Sequence, residues 1–538
     1  MADAAAGKPA PKTDVIDTIQ SLVVAFVVAM TFRGFVLEGF MIPTGSMAPT
    51  LLGAHVSLHS PVTGYSYTAD AGAVDPNATL PIVDPMLSPR LPVGAEPGRQ
   101  LLSRAAAGDR VLVLKYIWPL LEPARWDVAV FKTPPDPVGE SQNYIKRLVG
   151  LPLESILLAD GDVFTGPPGS KADALTIARK PEYVQRAVWQ PVYDSDDQPI
   201  NLSRWEEKWR QPWPGPPLKG TGGGSWTIRD SRAWSCSAAD PADLTWDPAV
   251  LAITDWNAYN VWRPVAIFPV SDIRMAGVLE AANAAAFKTS FHLRTRGHRF
   301  EILIGGGSAT ATVTEHETGR VVATQQAPFA FPASGRARIE FWHVDQALWL
   351  FVDDAVVLKL EYSLGTPEHR LELAGVSIER YRTDPVAAKP QGVSELRWHF
   401  EGSPVTLRRV RVDRDLYYQP GLHQQGNQSL VNGPAIHGRA FATDLDEPAV
   451  LGADQFLMLG DNSSASRDGR FWGRPHLLVV RDLGVETPFV VPRPLLVGKA
   501  WSVYFPATAP LASGVDGAGA EDRLPWLSLN FGRLRFIR

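Results

Sequence analysis

Apolar residues run almost unbroken from Val15 to Leu37, and the centre of the run, Leu22 to Phe32, carries no charge. That centre is shorter than the ~20 residues a membrane-spanning helix needs, but Ile16, Ile19, Phe35, Val36 and Leu37 extend it to the required length. Asp17 and Gln20 then fall near one interface and Arg33 near the other, where a long side chain can reach water. The pattern predicts a transmembrane helix over 15–38. A cleaved signal peptide fits less well, because no small-x-small site follows before Phe40, and a buried core helix is the other alternative. Lys8 and Lys12 precede the run and favour an N-terminal tail, 1–14, on the cytoplasmic side, with the rest of the chain beyond the membrane.

After the helix the period changes to two. Gly108 to Tyr116, Arg125 to Lys132 and Asn143 to Pro152 are β-branched runs bounded by Gly and Pro, and they predict strands. Residues 53–107 are rich in Pro, Gly and Ala with little periodicity, and read as a long loop insertion in which His55 and His59 are ordinary surface histidines. From Gly166 to about Ala440 short strand patterns recur: Phe300 to Ile304, Ala309 to Val313, Ala337 to Trp342 and Val405 to Val412. Leu348 to Val352 and Ala355 to Leu360, joined by Asp353-Asp354, read as a tight hairpin. Strands at this spacing predict a β-sandwich, and the run resembles the concanavalin/laminin-G-like jelly rolls in pattern. The expected fold is mainly β: an N-terminal transmembrane helix, a split β core (39–165 and 441–510), an inserted jelly-roll-like sandwich (166–440) and a C-terminal arm (511–538).

Composition narrows the function. A net charge of −5 with no basic block argues against nucleic-acid binding. Cys236 is the only cysteine, which excludes an intramolecular disulfide and a four-cysteine zinc site. The polar run Asp461 to Asp468 fits no EF-hand spacing, so no metal is expected there.

Three stretches hold candidate chemistry. Ser46 follows Gly45 between Pro43 and Pro49, so its hydroxyl sits on a stiff irregular edge. Serine needs a base before it can attack, and no histidine lies in these polar segments. Lys146, among Tyr144, Ile145, Leu148 and Val149, has the apolar setting that lowers a lysine's pKa. Ser466 is the candidate hydroxyl to orient the amine, and the Ser46 N–H with the Thr44 hydroxyl are candidate oxyanion donors. Such a pair hydrolyses peptides or esters.

These motifs resemble, in order, those of the bacterial type I signal peptidases. The matching segments are the apolar span, Ile42-Pro43-Thr44-Gly45-Ser46-Met47-Ala48-Pro49-Thr50-Leu51, Gly108-Asp109-Arg110-Val111-Leu112-Val113, Arg125 to Phe131, Tyr144-Ile145-Lys146-Arg147, Gly460 to Arg470, and Val497-Gly498-Lys499-Ala500. The resemblance covers roughly half of the chain and implies a serine endopeptidase that removes signal peptides after small-x-small sites. It implies Ser46 as nucleophile, Lys146 as general base, and Thr44 and Ser466 in support. It implies Phe40, Ile42, Pro43, Met47, Tyr144 and Ile145 as substrate-binding, and Asp461, Asn462, Asp468 and Arg470 as structural residues near the site, with Asp468 and Arg470 forming an ion pair. No cofactor is implied. The implied partners are preprotein signal peptides and the lipid bilayer of the bacterial cytoplasmic membrane, with the catalytic part on the periplasmic side; the jelly-roll pattern of the insert separately suggests a protein or glycan ligand of the sandwich. Leu153-Glu154 departs from the family's Gly-Asp at that turn, and the two insertions depart in length. Two rival readings are a self-cleaving repressor-type protease and an inactive scaffold that displays the sandwich.

Overall fold

The computed structural model describes residues 15–137, 143–199, 215–222, 226–229, 232–237, 240–423, 438–505 and 534–537. The tail 1–14 and all of the arm 511–538 except 534–537 lie outside the described residues. The molecule is mostly β, with one N-terminal apolar helix, α1 (Val15–Phe35). Its 21 residues span about 32 Å at ~1.5 Å per residue, close to the ~30 Å of a bilayer's hydrocarbon core. The stretch Asp17–Phe35 is apolar and no part of it is covered by protein. The helix is consistent with a single membrane-spanning anchor.

One residue separates α1 from β1 (Leu37–Met41), the edge of an eight-stranded antiparallel sheet. Its other strands are β2 (Arg110–Leu114), β3 (Val128–Lys132), β4 (Asn143–Gly150), β5 (Gln455–Leu459), β6 (Val491–Pro492), β7 (Leu496–Phe505) and β8 (Arg535–Phe536). The order is β1-β2-β7-β3-β4-β5-β6, with β8 pairing β7. Alternation puts Val111, Val113, Val128 and Val130 on one face, packed with Ile42, Met47 and Leu51. Ala129, Phe131, Leu148 and Met458 pack on the other with Trp472. Register fixes the site: Lys146 on β4 lies opposite Ala129, and the next residue, Arg147, lies opposite Leu459 at the end of β5. The Gly460 loop therefore begins beside Lys146, although some 300 residues separate β4 from β5.

Those intervening residues build a β-sandwich beside the core. One sheet has eight strands, including Ile273–Ala281, Arg336–Val344 and Val405–Arg414; the other has seven, including Lys288–Thr295, His298–Gly305 and Glu395–Glu401. Their inner faces interdigitate through Phe291, Phe300, Ile302, Phe341, Trp398 and Leu407. Asp353 and Asp354 both take positive φ (47° and 67°), the backbone of a two-residue hairpin turn whose twist suits the flanking strands.

Residues 53–107 depart from the expected loop. His55–His59, Ser66–Asp70 and Ala105–Ala106 form a three-stranded sheet, and Thr79–Asp84 pairs with Ser88–Pro97. Val56, Leu58, Tyr67, Ala69 and Leu101 give this region its own small core. Its prolines hid the pattern, and they are tolerated because both strands of a two-stranded hairpin are edges. His55 is buried, with Nδ1 2.8 Å from the Gly53 carbonyl, and so is not the surface residue expected; His59 is exposed.

Candidate active site

The segment 43–54 leaves β1 and loops across the end of the sheet. Its two ends are tied together by Asp109: the Asp109 carbonyl accepts from Ile42 N–H and its carboxylate accepts from Leu52 N–H, both at 2.9 Å. Between them Gly45–Met47 forms a single 3₁₀ turn that carries Ser46. Gly45 is needed because a Cβ there would run into the Tyr259 ring.

Lys146 reaches this turn from β4. Its Nζ lies 2.5 Å from Ser46 Oγ and 3.0 Å from the Ile145 carbonyl, with the Tyr144 ring centroid 5.4 Å away. Lys146 is 3% exposed, and among the described residues no carboxylate forms an ion pair with it. Burial lowers its pKa from 10.5 to about 8; the more distant Asp468 and Asp461 pull it partly back up. An amine of that pKa is neutral in a useful fraction of molecules near neutral pH.

The Gly460 loop fixes both partners. Asp461 takes Arg147 in a buried bidentate pair (2.8 and 2.6 Å), so the residue beside the lysine is held rigidly. Asp468 accepts from Gly460 N–H (3.0 Å) and pairs with Arg470 (2.9 and 2.8 Å). Arg470 also donates to the Gln419 carbonyl and to Ser463 Oγ, both at 2.7 Å. Asn462 holds the Ser46 turn itself: its N–H donates to the Ser46 carbonyl (3.0 Å) and its side-chain Nδ2 to the Gly45 carbonyl (2.9 Å).

A cleft of about 460 Å³ opens at this point, lined by Thr44, Ser46 and Lys146 with Pro43, Tyr144 and Ile145. Thr44 is exposed at its edge. Ile42 and Met47 are not wall residues. Both are buried in the core beneath the turn, because an apolar side chain on either flank of Ser46 gains more by packing on Val111 and Val128 than by facing a solvated cleft. Phe40 is half-buried against the same cluster. Ser466 is not brought into hydrogen bonding with Lys146; its Oγ is buried without a hydrogen-bond partner among the described residues, against Gly460. Glu154, at the divergent turn, makes a bidentate pair with Arg125 (2.8 and 2.6 Å) and accepts from Leu151 N–H, which anchors the end of β4.

Residues that sequence reasoning did not find come from the sandwich side. Asn257 and Tyr259 pack on the Ser46 loop, Asn260 pairs with Asn462 of the Gly460 loop, and Arg263 reaches the cleft while paired to Asp70 (Nε to Oδ2, 2.8 Å). Nothing in the local sequence marks this turn as different from other polar turns.

The family model "Signal peptidase, peptidase S26" matches residues 96–190, which include Lys146 but neither Ser46 nor the Gly460 loop. No curated protein matches the chain. Among solved structures, a Caenorhabditis elegans galectin is similar at 16% identity over 27% of this chain and 83% of its own, with a TM-score of 0.19. A Bacillus subtilis carbohydrate-binding module is similar at 7% identity over 37% and 95%, with a TM-score of 0.22. At such scores the likenesses carry no argument about ligands.

Proposed function

We propose that this chain, which its peptidase S26 domain at residues 96–190 classes as a serine peptidase of the signal peptidase I type, cleaves signal peptides from exported preproteins by a Ser46/Lys146 dyad. The observation that carries the reading is the 2.5 Å contact between Lys146 Nζ and Ser46 Oγ, made by a buried amine without an ion-pair partner among the described residues. Neutral Lys146 takes the Ser46 proton as Oγ attacks the scissile carbonyl. The oxyanion is met by the Ser46 N–H and the Thr44 hydroxyl at the cleft edge. The Lys146 ammonium then gives its proton to the leaving amine, and the freed lysine deprotonates the water that hydrolyses the acyl-serine. Among the described residues, 143–146 of β4 pair with β3 on one side only, while β5 begins its pairing at Arg147. That open edge suits an extended substrate added as a strand, and the Tyr144, Ile145 and Pro43 walls suit small side chains at the small-x-small positions.

The activity is membrane-associated, given the single apolar helix beside the sheet. Exposed Met41 lies on β1, which follows the helix, and exposed Trp501, Tyr504 and Phe536 lie on β7 and β8 of the same sheet, with Trp501 and Phe536 in ring contact at 5.3 Å, as suits an interfacial aromatic belt. We read the helix as an anchor in the bacterial cytoplasmic membrane with the cleft on the periplasmic side, and the sandwich as a jelly-roll module that docks a protein or glycan. The test is processing of a preprotein with an Ala-x-Ala site by membranes carrying the full chain. Ser46→Ala and Lys146→Ala are each expected to lower the rate by roughly 10³-fold or more; processing equal to the parent in both variants rules the dyad out.

A further inference from the structure

The turn Asn257–Asn260 lies within the long insertion between the two halves of the core, yet it meets the nucleophile loop at several points. The Tyr259 ring packs on Gly45, and its hydroxyl donates to the Ala54 carbonyl at 3.0 Å. Asn257 Nδ2 reaches the Ala48 carbonyl at 3.4 Å. Most telling is a reciprocal amide pair: Asn260 Nδ2 donates to Asn462 Oδ1 at 2.6 Å, and Asn462 Nδ2 donates back to Asn260 Oδ1 at 2.9 Å. The other Asn462 amide proton goes to the Gly45 carbonyl and the other Asn260 amide proton to Ser464 Oγ at 3.0 Å. Asn260 is 1% exposed and Asn462 2%.

The consequence follows from counting donors and acceptors. A primary amide offers two N–H donors and one carbonyl, and it can flip so that the two ends exchange. Besides its backbone N–H bond to the Ser46 carbonyl, Asn462 grips the Ser46 turn through its side chain, and only in the orientation that puts Nδ2 toward the Gly45 carbonyl. The Gly45 contact alone is a single bond. The two Asn260 bonds hold the Asn462 amide in place, and the Gly45 carbonyl, which can only accept, sets which end of that amide faces the turn. Buried as this network is, an unmade bond leaves a polar group unpaired at high cost, so the fully paired form dominates.

We propose that Asn260 is a positioning residue for the Ser46 turn, acting through Asn462, so that the insertion forms part of the peptidase machinery and is more than an accessory module. This rests on the Ser46/Lys146 reading above. Without Asn260 the Asn462 amide keeps only its bond to the Gly45 carbonyl, that support of the Gly45–Met47 turn weakens, and Ser46 Oγ leaves the short line to Lys146 Nζ. Displacements of that kind act on the reacting geometry and leave the backbone of the β4 strand-pairing edge intact.

The experiment compares full-chain variants in detergent micelles on a fluorogenic peptide with Ala at both small positions. Asn260→Ala is expected to lower kcat roughly tenfold or more with KM within about twofold of the parent. A merely structural role would move the melting temperature and the active fraction, leaving kcat per folded, active molecule unchanged. Acting through Asn462 predicts that Asn260→Ala combined with Asn462→Ala is no slower than Asn462→Ala alone. Should Asn260→Ala fail to fold, the isosteric Asn260→Asp keeps the volume, removes the donated N–H and is expected to show the same loss of kcat at pH 8. A parental kcat in these variants, or losses that multiply in the double variant, overturns the proposal. Full activity in Ser46→Ala would instead overturn the dyad, whatever Asn260 does, so the two failures are told apart.

Discussion

Two lysines are buried in this molecule in similar degree and have opposite fates. Lys180, next to the sandwich, places Nζ 2.6 Å from Asp345 and 2.8 Å from Asp415. Burial alone would lower its pKa, but the two carboxylates outweigh that and hold it well above its ordinary value. Lys146 has a hydroxyl and a backbone carbonyl for company, and its nearest carboxylates are spent on Arg147 and Arg470. Burial therefore wins, and its pKa falls to about 8. The difference teaches that the apolar wall is common to a lysine held charged and to one whose charge burial weakens. What separates them is whether neighbouring acids are already neutralised by arginines. Arg147 and Arg470 thus do more than hold the loop: they keep Asp461 and Asp468 from trapping Lys146 as an ammonium.

The comparison breaks most visibly under one substitution made twice. Lys146→Met is expected to lower preprotein processing by roughly 10³-fold or more, measured as kcat, because the Ser46 proton then has no acceptor. Lys180→Met is expected to leave the chemistry of folded molecules intact but to cost about 3–5 kcal/mol in denaturant unfolding, since Asp345 and Asp415 are left buried and unpaired. Stability responds in the opposite sense at Lys146. A lysine whose folded pKa is lowered binds fewer protons folded than unfolded between pH 8 and 10.5, so stability rises with pH across that window. Lys146→Met is therefore expected to stabilise by up to about 3 kcal/mol near pH 7, an advantage that fades toward pH 10.5. For Lys180 the raised folded value means that its contribution is complete below pH 10.5 and is lost only at more alkaline pH. A smaller effect is expected for Ser466→Ala. Its hydroxyl is buried without a partner, so removing it should be neutral or stabilising by about 1 kcal/mol and should cost less than roughly tenfold in kcat.

Much of this was legible in the chain because it is coded locally. An uncharged run of helix length, period-two strands and the Asp353-Asp354 turn each specify their element from within a few residues. Lys146 could be singled out because a charge interrupts an apolar strand. The rest depends on contacts far apart in sequence. Ser57 and Pro81 sit in strands that local pattern does not reveal, and the apolar flanks of Ser46 give no sign that Ile42 and Met47 turn inward. The amide pair of Asn260 and Asn462 joins residues 202 apart, with no periodicity to announce it. Ser466 shows the converse. Its place in the motif suggests a hydrogen bond to the lysine, and the folded loop instead turns its hydroxyl against Gly460.

The central claim is that Lys146 acts as a neutral base, and the pH dependence of kcat for the full chain on the fluorogenic peptide measures it most directly. The account predicts one ascending limb centred near pH 8, absent in the residual activity of Lys146→Ala. A flat profile through that range, or a limb centred near 10.5, would mean that burial does not free the amine and would contradict it.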